Sequence, residues 1–358
     1  EPLELYTLKS GEEIVGQLYN FIDKGERRVA LRPEMTPTLA RMIAAHGRNY
    51  KKPVKWFAIP QLFRYERQQK GRLREHFQFN ADIIGDPSSA ADAELIALLI
   101  DALRSFGLTA DDFVIRLSSR NAWQEFFRKR SSKTENEYAF YQAIDKLERE
   151  SPDDTRAKLG ALGISFDDVK QFITAGPPTA ELDSITRNLA ARDMADFVRI
   201  DYRVIRGLAY YTGVVFEAFD RKGDFRAIAG GGRYDNLIKL ISDGKVDSPA
   251  LGFGMGDVVL LELLKARGLL PKFDSQIEAY CLIEDETLRE ASLSLIQHLR
   301  DNGFSVEYPL SAAKSDKQFK RAMELGARFT CKLAPTPDGG LDVKIKNLAT
   351  REEKTLGA

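Results

Sequence analysis

Phe63-Arg64-Tyr65-Glu66-Arg67-Gln68-Gln69-Lys70-Gly71-Arg72-Leu73-Arg74-Glu75-His76-Phe77-Gln78-Phe79-Asn80-Ala81-Asp82 reads as two strands joined by a basic loop. Arg67, Lys70, Arg72 and Arg74 surround a single glycine, Gly71. Planar guanidinium groups held on a hairpin suit the gripping of polyphosphate and a reach toward an RNA end. Arg64 and Glu66 fall on one face of the first strand, because residues two apart on a strand point the same way. A solvated basic hairpin has the same composition, so the loop alone does not decide between the two readings.

Around this hairpin the pattern stays strand-rich. Short runs at 29–32, 54–59, 62–66 and 76–84 are separated by charged turns, and their spacing favours antiparallel hairpins over crossover units. Residues 91–106 read as a helix, with Leu95, Ile96, Leu98, Leu99 and Leu103 as its apolar stripe. From 121 to 200, Lys, Glu, Asp and Ala recur in helical rhythm, broken at Ser151-Pro152-Asp153-Asp154 and at Gly176-Pro177-Pro178. This is expected to be a helical insert. Strand character returns at 197–219 and 225–228, and a helix is expected at 234–242. A linker-like stretch at 268–276 then leads to strand, helix, strand, helix and further strands over 277–358, the pattern of a small α/β domain with a mixed sheet. The expectation is an α+β chain with a strand-rich body at 1–120 and 201–267, interrupted by the insert and followed by the small domain.

Composition narrows the function classes. The 53 basic and 53 acidic side chains cancel, so any nucleic-acid contact rests on local clusters and not on a global field. With only Cys281 and Cys331 and no CxxC pair, a disulfide framework or structural zinc has little support, and no metal site is expected. No apolar run reaches the length of a membrane span, and Glu1-Pro2-Leu3-Glu4 does not resemble a targeting segment. A soluble, cytoplasmic protein is the expectation.

Four further segments carry chemistry. In Leu31-Arg32-Pro33-Glu34-Met35-Thr36-Pro37 the prolines fix the backbone, so that Glu34 and Thr36 are presented from a rigid strand end. Arg206-Gly207-Leu208-Ala209-Tyr210-Tyr211-Thr212-Gly213-Val214-Val215-Phe216-Glu217 reads as an aromatic and β-branched strand preceded by an arginine, in which paired tyrosines are commonly half-buried sheet residues. The glycines of Ala229-Gly230-Gly231-Gly232-Arg233-Tyr234-Asp235 would let a ligand lie against the backbone, or form an ordinary turn. The last is Leu251-Gly252-Phe253-Gly254-Met255-Gly256-Asp257-Val258-Val259.

Together these segments resemble the class II aminoacyl-tRNA synthetases, most closely the histidine-specific members. Phe-Arg-x-Glu with its basic loop is similar to motif 2, Arg-Gly-Leu-x-Tyr-Tyr-Thr-Gly-x-Val-Phe-Glu to a histidine-family signature, and 251–259 to motif 3. The resemblance implies an antiparallel sheet flanked by helices, with a C-terminal α/β domain that binds the anticodon. It implies an ATP-dependent ligase that forms histidyl-adenylate, with magnesium, and charges tRNA(His). By the same resemblance Arg64 and Arg206 act on the α-phosphate, and Glu66, Arg72 and His76 complete the ATP site. Glu34, Thr36, Gln78, Asp82, Tyr210 and Tyr211 hold histidine, with Asp82 and Tyr211 paired on the imidazole. Gln69 approaches the tRNA acceptor end. Lys314, Lys317 and Lys320, at helical spacing beside Phe319 and Arg321, would meet phosphates, although such a run is equally a solvated helix face.

The chain departs from the family pattern in places. Asp82 stands where glutamate is usual, Ala209 where aspartate is usual, and Val258-Val259 where Glu-Arg is expected. The motif 1 helix and strand that build the family's dimer interface are not recognised at the start, so a homodimer rests on the resemblance alone. Two other readings are a histidine-sensing regulatory subunit of ATP phosphoribosyltransferase, a synthetase paralogue, and an RNA-sensing module. The domain at 277–358, together with Arg64 and Arg206, argues against the sensor.

Overall fold

A computed structural model describes residues 1–10, 12–65, 73–148, 150–206, 210–271 and 277–357. The chain divides into two compact units, Glu1–Leu270 and Pro271–Ala358.

The first unit begins with α1 (Glu4–Ser10), the hairpin β1 (Asn20–Ile22) and β2 (Arg28–Ala30), and α2 (Thr36–His46). Then come β3 (Val54–Ala58), β4 (Gln61–Phe63), β5 (Glu75–Ile84), α3 (Ser89–Ser105) and β6 (Phe113–Ser119). Helices α4 (Arg120–Arg128), α5 (Glu137–Asp145), α6 (Pro152–Ala161), α7 (Phe166–Ala175) and α8 (Ala180–Ala190) follow. The unit closes with β7 (Val198–Ile200), β8 (Val214–Asp220), β9 (Ala229–Arg233), α9 (Leu237–Ile241), β10 (Ala250–Gly256) and α10 (Asp257–Arg267).

An eight-stranded sheet runs β3-β5-β10-β9-β8-β6-β7, with β4 also paired to β5. Every pairing in it is antiparallel except β6 with β7. Its strands alternate. Ala81, Ile83, Phe216, Ala218, Leu251, Phe253 and Met255 point into the main core, which they share with α3 and with Trp123, Phe126, Phe127 and Phe140 of the following helices. On the other face of the same strands, period 2 places Gln78, Asn80, Asp82, Glu217, Gly230, Gly232, Gly252 and Gly254.

The helices after β6 begin where hydroxyl side chains satisfy free N–H groups: Ser151 accepts from Asp154 N, Ser165 from Asp168 N and Thr179 from Leu182 N. Gly176 ends α7 in the left-handed region at φ 51°.

Several sequence expectations are corrected. Leu98 is exposed while Ile100 is buried, because at 100° per residue position 98 falls on the solvent side of α3. Thr36 opens a helix instead of ending a strand, since Pro37 lacks only an N–H that a first turn leaves free. Of the stretch expected as strand at 197–219, 198–200 is β7 and 214–219 belongs to β8, whereas 201–206 and 210–213 are not strand, so Tyr210 and Tyr211 precede β8. Residues 225–228 are not strand, whereas the glycine run 230–232 is, within β9.

The second unit has a mixed five-stranded sheet ordered β12-β11-β13-β14-β15. Its elements are β11 (Ala279–Cys281), α11 (Arg289–Asp301), β12 (Val306–Glu307), α12 (Ser315–Glu324), β13 (Phe329–Pro335), β14 (Leu341–Asn347) and β15 (Glu353–Gly357). Buried Gln318 fixes α12 by exchanging hydrogen bonds with Ile283, accepting from its N–H at 2.8 Å and donating to its carbonyl at 2.7 Å. That leaves Lys314, Lys317 and Lys320 exposed.

Arg233, at the end of β9, ties the sheet to the start of α3. Its Nε and Nη2 donate to Asp92 Oδ2 at 3.1 and 2.9 Å, and Nη2 also donates to Ser88 O at 2.7 Å. Both partners are buried, so removing one strands the charge of the other. Arg233→Met is expected to lower unfolding free energy in urea by about 3–5 kcal/mol, and adding Asp92→Asn to restore much of it.

Candidate active site

Two pairs of glycines form a floor. Gly230 faces Gly254 across β9 and β10, and Gly232 faces Gly252. A Cβ at any of these four would strike a neighbouring side chain. At Gly230 it would strike the Arg206 guanidinium and at Gly252 the Asp82 carboxylate; at Gly254 it would meet the Gln78 amide at 2.6–2.8 Å, and at Gly232 the Tyr211 ring at 2.9 Å. Four residues singled out in the sequence therefore lie flat on one patch of sheet that has no side chains of its own.

Arg206 has φ 52°, a region that side-chain-bearing residues adopt at a cost of about 1–3 kcal/mol. Its Nη1 donates to Glu217 Oε1 at 2.9 Å, and its Cζ lies 5.3 Å from the Tyr211 ring centroid. Its Nε is buried without a hydrogen-bond partner among the described residues. Arg64 follows β4, where its N–H donates to Arg74 O at 2.8 Å and its Nε to Pro33 O at 3.1 Å. Both arginines line one cavity of about 700 Å³. His76, Gln78, Asp145, Glu148, Glu217, Gly230 and Gly254 share its wall, as do Arg203, Arg226 and Val259. Arg203 is engaged by Asp201 and by Glu148 at 3.1 Å.

The tyrosines form the adjoining cluster. The Tyr210 and Tyr211 rings are 4.7 Å apart, and Tyr210 lies 6.1 Å from Tyr234. Tyr210 OH donates to Glu34 Oε2 at 3.2 Å, and Tyr234 OH to Asp82 Oδ1 at 2.5 Å. Burial raises the pKa of all three phenols, reinforced at Tyr210 by Glu34 and at Tyr234 by Asp82, so each remains a donor at neutral pH. Burial also pushes the Asp82 carboxyl up to about 7, against the lowering effect of the Tyr234 hydroxyl. Thr36 is half-buried at the first turn of α2, two residues after Glu34.

Among the sequence candidates, Arg64, His76, Gln78 and Arg206 thus share the cavity, and Glu34, Asp82, Tyr210 and Tyr211 are linked beside it. Glu66, Gln69 and Arg72 lie outside the described residues, as does Ala209. Lys314, Lys317 and Lys320 belong to the second unit.

Three residues escaped the sequence reading. Tyr234 is the partner of Asp82, and only its place after the glycine run could have flagged it. Glu217 is the partner of Arg206. Asn80 lies between Gln78 and Asp82 on the floor side of β5, 4 % exposed, and its Oδ1 has no partner among the described residues. Its alternation with Gln78 and Asp82 was the available signal.

Two outcomes follow from this geometry. Gly230→Ala places a methyl where the Arg206 guanidinium lies, and the flexible end of the arginine gives way. The variant should melt close to the parent by circular dichroism yet show the same loss of function as Arg206→Ala. Asp82 has a folded pKa of about 7, above its ordinary 3.8, so its contribution to stability is complete below pH 3.8 and is lost as pH rises toward 7. Asp82 alone should contribute a loss of roughly 1.4 kcal/mol per pH unit in that window, and Asp82→Asn should remove that share of the slope from urea midpoints measured across it.

A family model described as histidyl-tRNA synthetase matches residues 1–257. The histidine–tRNA ligase of Opitutus terrae is 44 % identical over 99 % of this chain and 85 % of its own length. The chloroplastic/mitochondrial histidine–tRNA ligase of Arabidopsis thaliana is 41 % identical over 95 % of this chain and 74 % of its own. In fold, the crystal structure of histidyl-tRNA synthetase from Nostoc sp. PCC 7120 superposes with a TM-score of 0.76 at 22 % identity, covering 100 % of this chain and 87 % of that one. With relatives this similar along nearly its whole length, and the sheet architecture in common, the chain belongs to the histidyl-tRNA synthetase family of class II aminoacyl-tRNA ligases.

Proposed function

We propose that the chain activates L-histidine with ATP in the cavity between Arg64 and Arg206 and passes the histidyl group to tRNA(His). One observation carries this reading: two arginines from separate motifs line the same cavity, beside a linked cluster of tyrosines and carboxylates. In the first step a histidine carboxylate oxygen attacks the α-phosphorus and the bond to pyrophosphate breaks. Charge builds on the phosphate oxygens, where Arg64 and Arg206 are held ready. His76 stands on the nucleotide side, and Glu66 and Arg72 act there by family resemblance.

Histidine lies toward the tyrosines. Glu34 and Thr36 take its amino group, Gln78 meets its polar backbone end, and Asp82 with Tyr211 reads the imidazole nitrogens. Asp82, shorter than the family's glutamate, is placed by Tyr234, and Asn80 adds an acceptor with no partner among the described residues to the same floor. Hydrogen-bonded selection of this kind rejects analogues lacking the matching groups by roughly 10⁴-fold.

Magnesium enters with ATP as part of the substrate. Phosphate oxygens and water supply most of its coordination, and it shares the charge that builds on pyrophosphate. In the second step the terminal ribose hydroxyl of the tRNA attacks the acyl carbonyl and AMP leaves. Gln69 serves the acceptor end, and Lys314, Lys317 and Lys320 meet anticodon-side phosphates. A homodimer working in the cytoplasm completes the proposal; no helix of the described residues is long and apolar enough to cross a membrane.

The purified protein should exchange labelled pyrophosphate into ATP only when histidine is present. Arg64→Ala and Arg206→Ala should each raise the barrier by about 3 kcal/mol, more than a hundredfold in rate, in protein that circular dichroism shows to be folded. Tight histidine binding with no exchange would instead identify a histidine sensor.

A further inference from the structure

Arg120 opens α4 and is 5 % exposed. Its backbone N–H donates to Gly213 O at 2.9 Å. Its side-chain Nη1 donates to Arg206 O at 3.0 Å and to Ile205 O at 3.5 Å. One residue therefore grips both flanks of the segment that bears Arg206, Tyr210 and Tyr211. The guanidinium packs 4.0 Å from the ring centroid of Tyr141 on α5. Burial disfavours its charge, which is tolerable only because carbonyl oxygens and an aromatic face receive it.

The Arg206 side chain is fixed at its tip by Glu217 and below by Gly230. What remains to be fixed is its backbone, which sits at positive φ, a conformation that persists only where the surroundings impose it. Arg120 supplies that constraint through a charge-assisted hydrogen bond to the carbonyl of the strained residue itself. It does so from outside the nucleotide cavity. Arg120 lines a separate space of about 590 Å³ with Tyr138, Tyr141, Tyr211 and Thr212.

We propose that Arg120 is a positioning residue for adenylate formation: from the start of α4 it holds the positive-φ backbone of Arg206, and so sets where that guanidinium meets the α-phosphate. The inference rests on the reading of Arg206 given above. Misplacing a charge-stabilising group by about 1 Å is enough to slow such a step by on the order of 10²-fold. ATP binding, shared among several groups, need not change.

The test is a double-mutant cycle read by single-turnover adenylate formation, with enzyme in excess over ATP. Arg120→Met should slow the step by about 10- to 100-fold, while the KM for ATP, taken from steady-state pyrophosphate exchange, stays within about twofold. Arg120→Lys, which keeps a cation, should recover part of the rate. In an Arg206→Ala background, Arg120→Met should change the rate by less than about threefold, since no guanidinium is left to place. If Arg120→Met does not fold, the cycle is run with Arg120→Lys and the same comparison decides. Equal losses in both backgrounds, or no loss from Arg120→Met alone, overturn the inference while the reading of Arg206 stands. A fully active Arg206→Ala enzyme overturns that reading and this inference with it.

Discussion

The site depends on an absence of side chains. Gly230 opposite Gly254 and Gly232 opposite Gly252 leave a bare patch in the middle of a sheet whose other face is densely packed. A single methyl on it would displace a guanidinium, a carboxylate, an amide or a phenol ring. Strand-interior glycine is otherwise unfavourable, for it orders a flexible backbone and contributes nothing to packing. Here the weakness is compensated by the apolar face, where Phe253 and Met255 of β10 alternate with the glycines and anchor the strand in the core. One face supplies the stability and the other supplies room.

Charges around that floor are arranged in pairs rather than left free. Arg206 is matched by Glu217 and Arg203 by Asp201 and Glu148, while Tyr234 donates to Asp82. Ion pairs such as these give little net stability, but they fix direction. A ligand with four phosphate charges would meet cations already pointed by their partners, and the protein need not reorganise as charge develops.

Much of this was legible in the sequence, and the parts that were not fail for physical reasons. Strands β3 and β5 could be read because their alternation and charged turns are local, whereas the strand expected at 62–66 stops at Phe63 in β4, so that Arg64 lies beyond it. The helices over 120–190 could be read from the rhythm of Lys, Glu, Asp and Ala, and the breaks expected at Ser151-Pro152 and at Gly176-Pro177-Pro178 fall where α6 begins and α7 ends. Arg64 and Arg206 stood out by motif, and their shared cavity is the expected consequence. The glycine strand β9 was missed as a strand because glycine carries no strand signal of its own; only pairing to β8 and β10 makes it one. Tyr210 and Tyr211 looked like sheet residues because the turn at Arg206 is imposed from elsewhere, in part by Arg120, whose role depends on a contact with a residue distant in sequence. The pairing of Tyr234 with Asp82 and of Glu217 with Arg206 becomes visible only once β5, β10, β9 and β8 are laid side by side. The domain at 277–358 was recognisable because its alternation of strand and helix differs from everything before it.

The order in which strands enter the large sheet bears on how the molecule comes into being. β5 lies between β3, which is close in sequence, and β10, whose Ala250 and Gly256 pair with Ile84 and Gln78. During synthesis one edge of β5 must wait, unpaired, while the whole run of helices and the strands β6, β7, β8 and β9 are made. Contacts of such long range form late and slow the search for the native state, and an uncovered strand edge in the interval invites pairing with other chains. The bare glycines of β9 and β10 add no side-chain driving force to that last step. A nascent chain halted before residue 250 would therefore expose a half-built sheet, and chaperones that cover strand edges would find their substrate there.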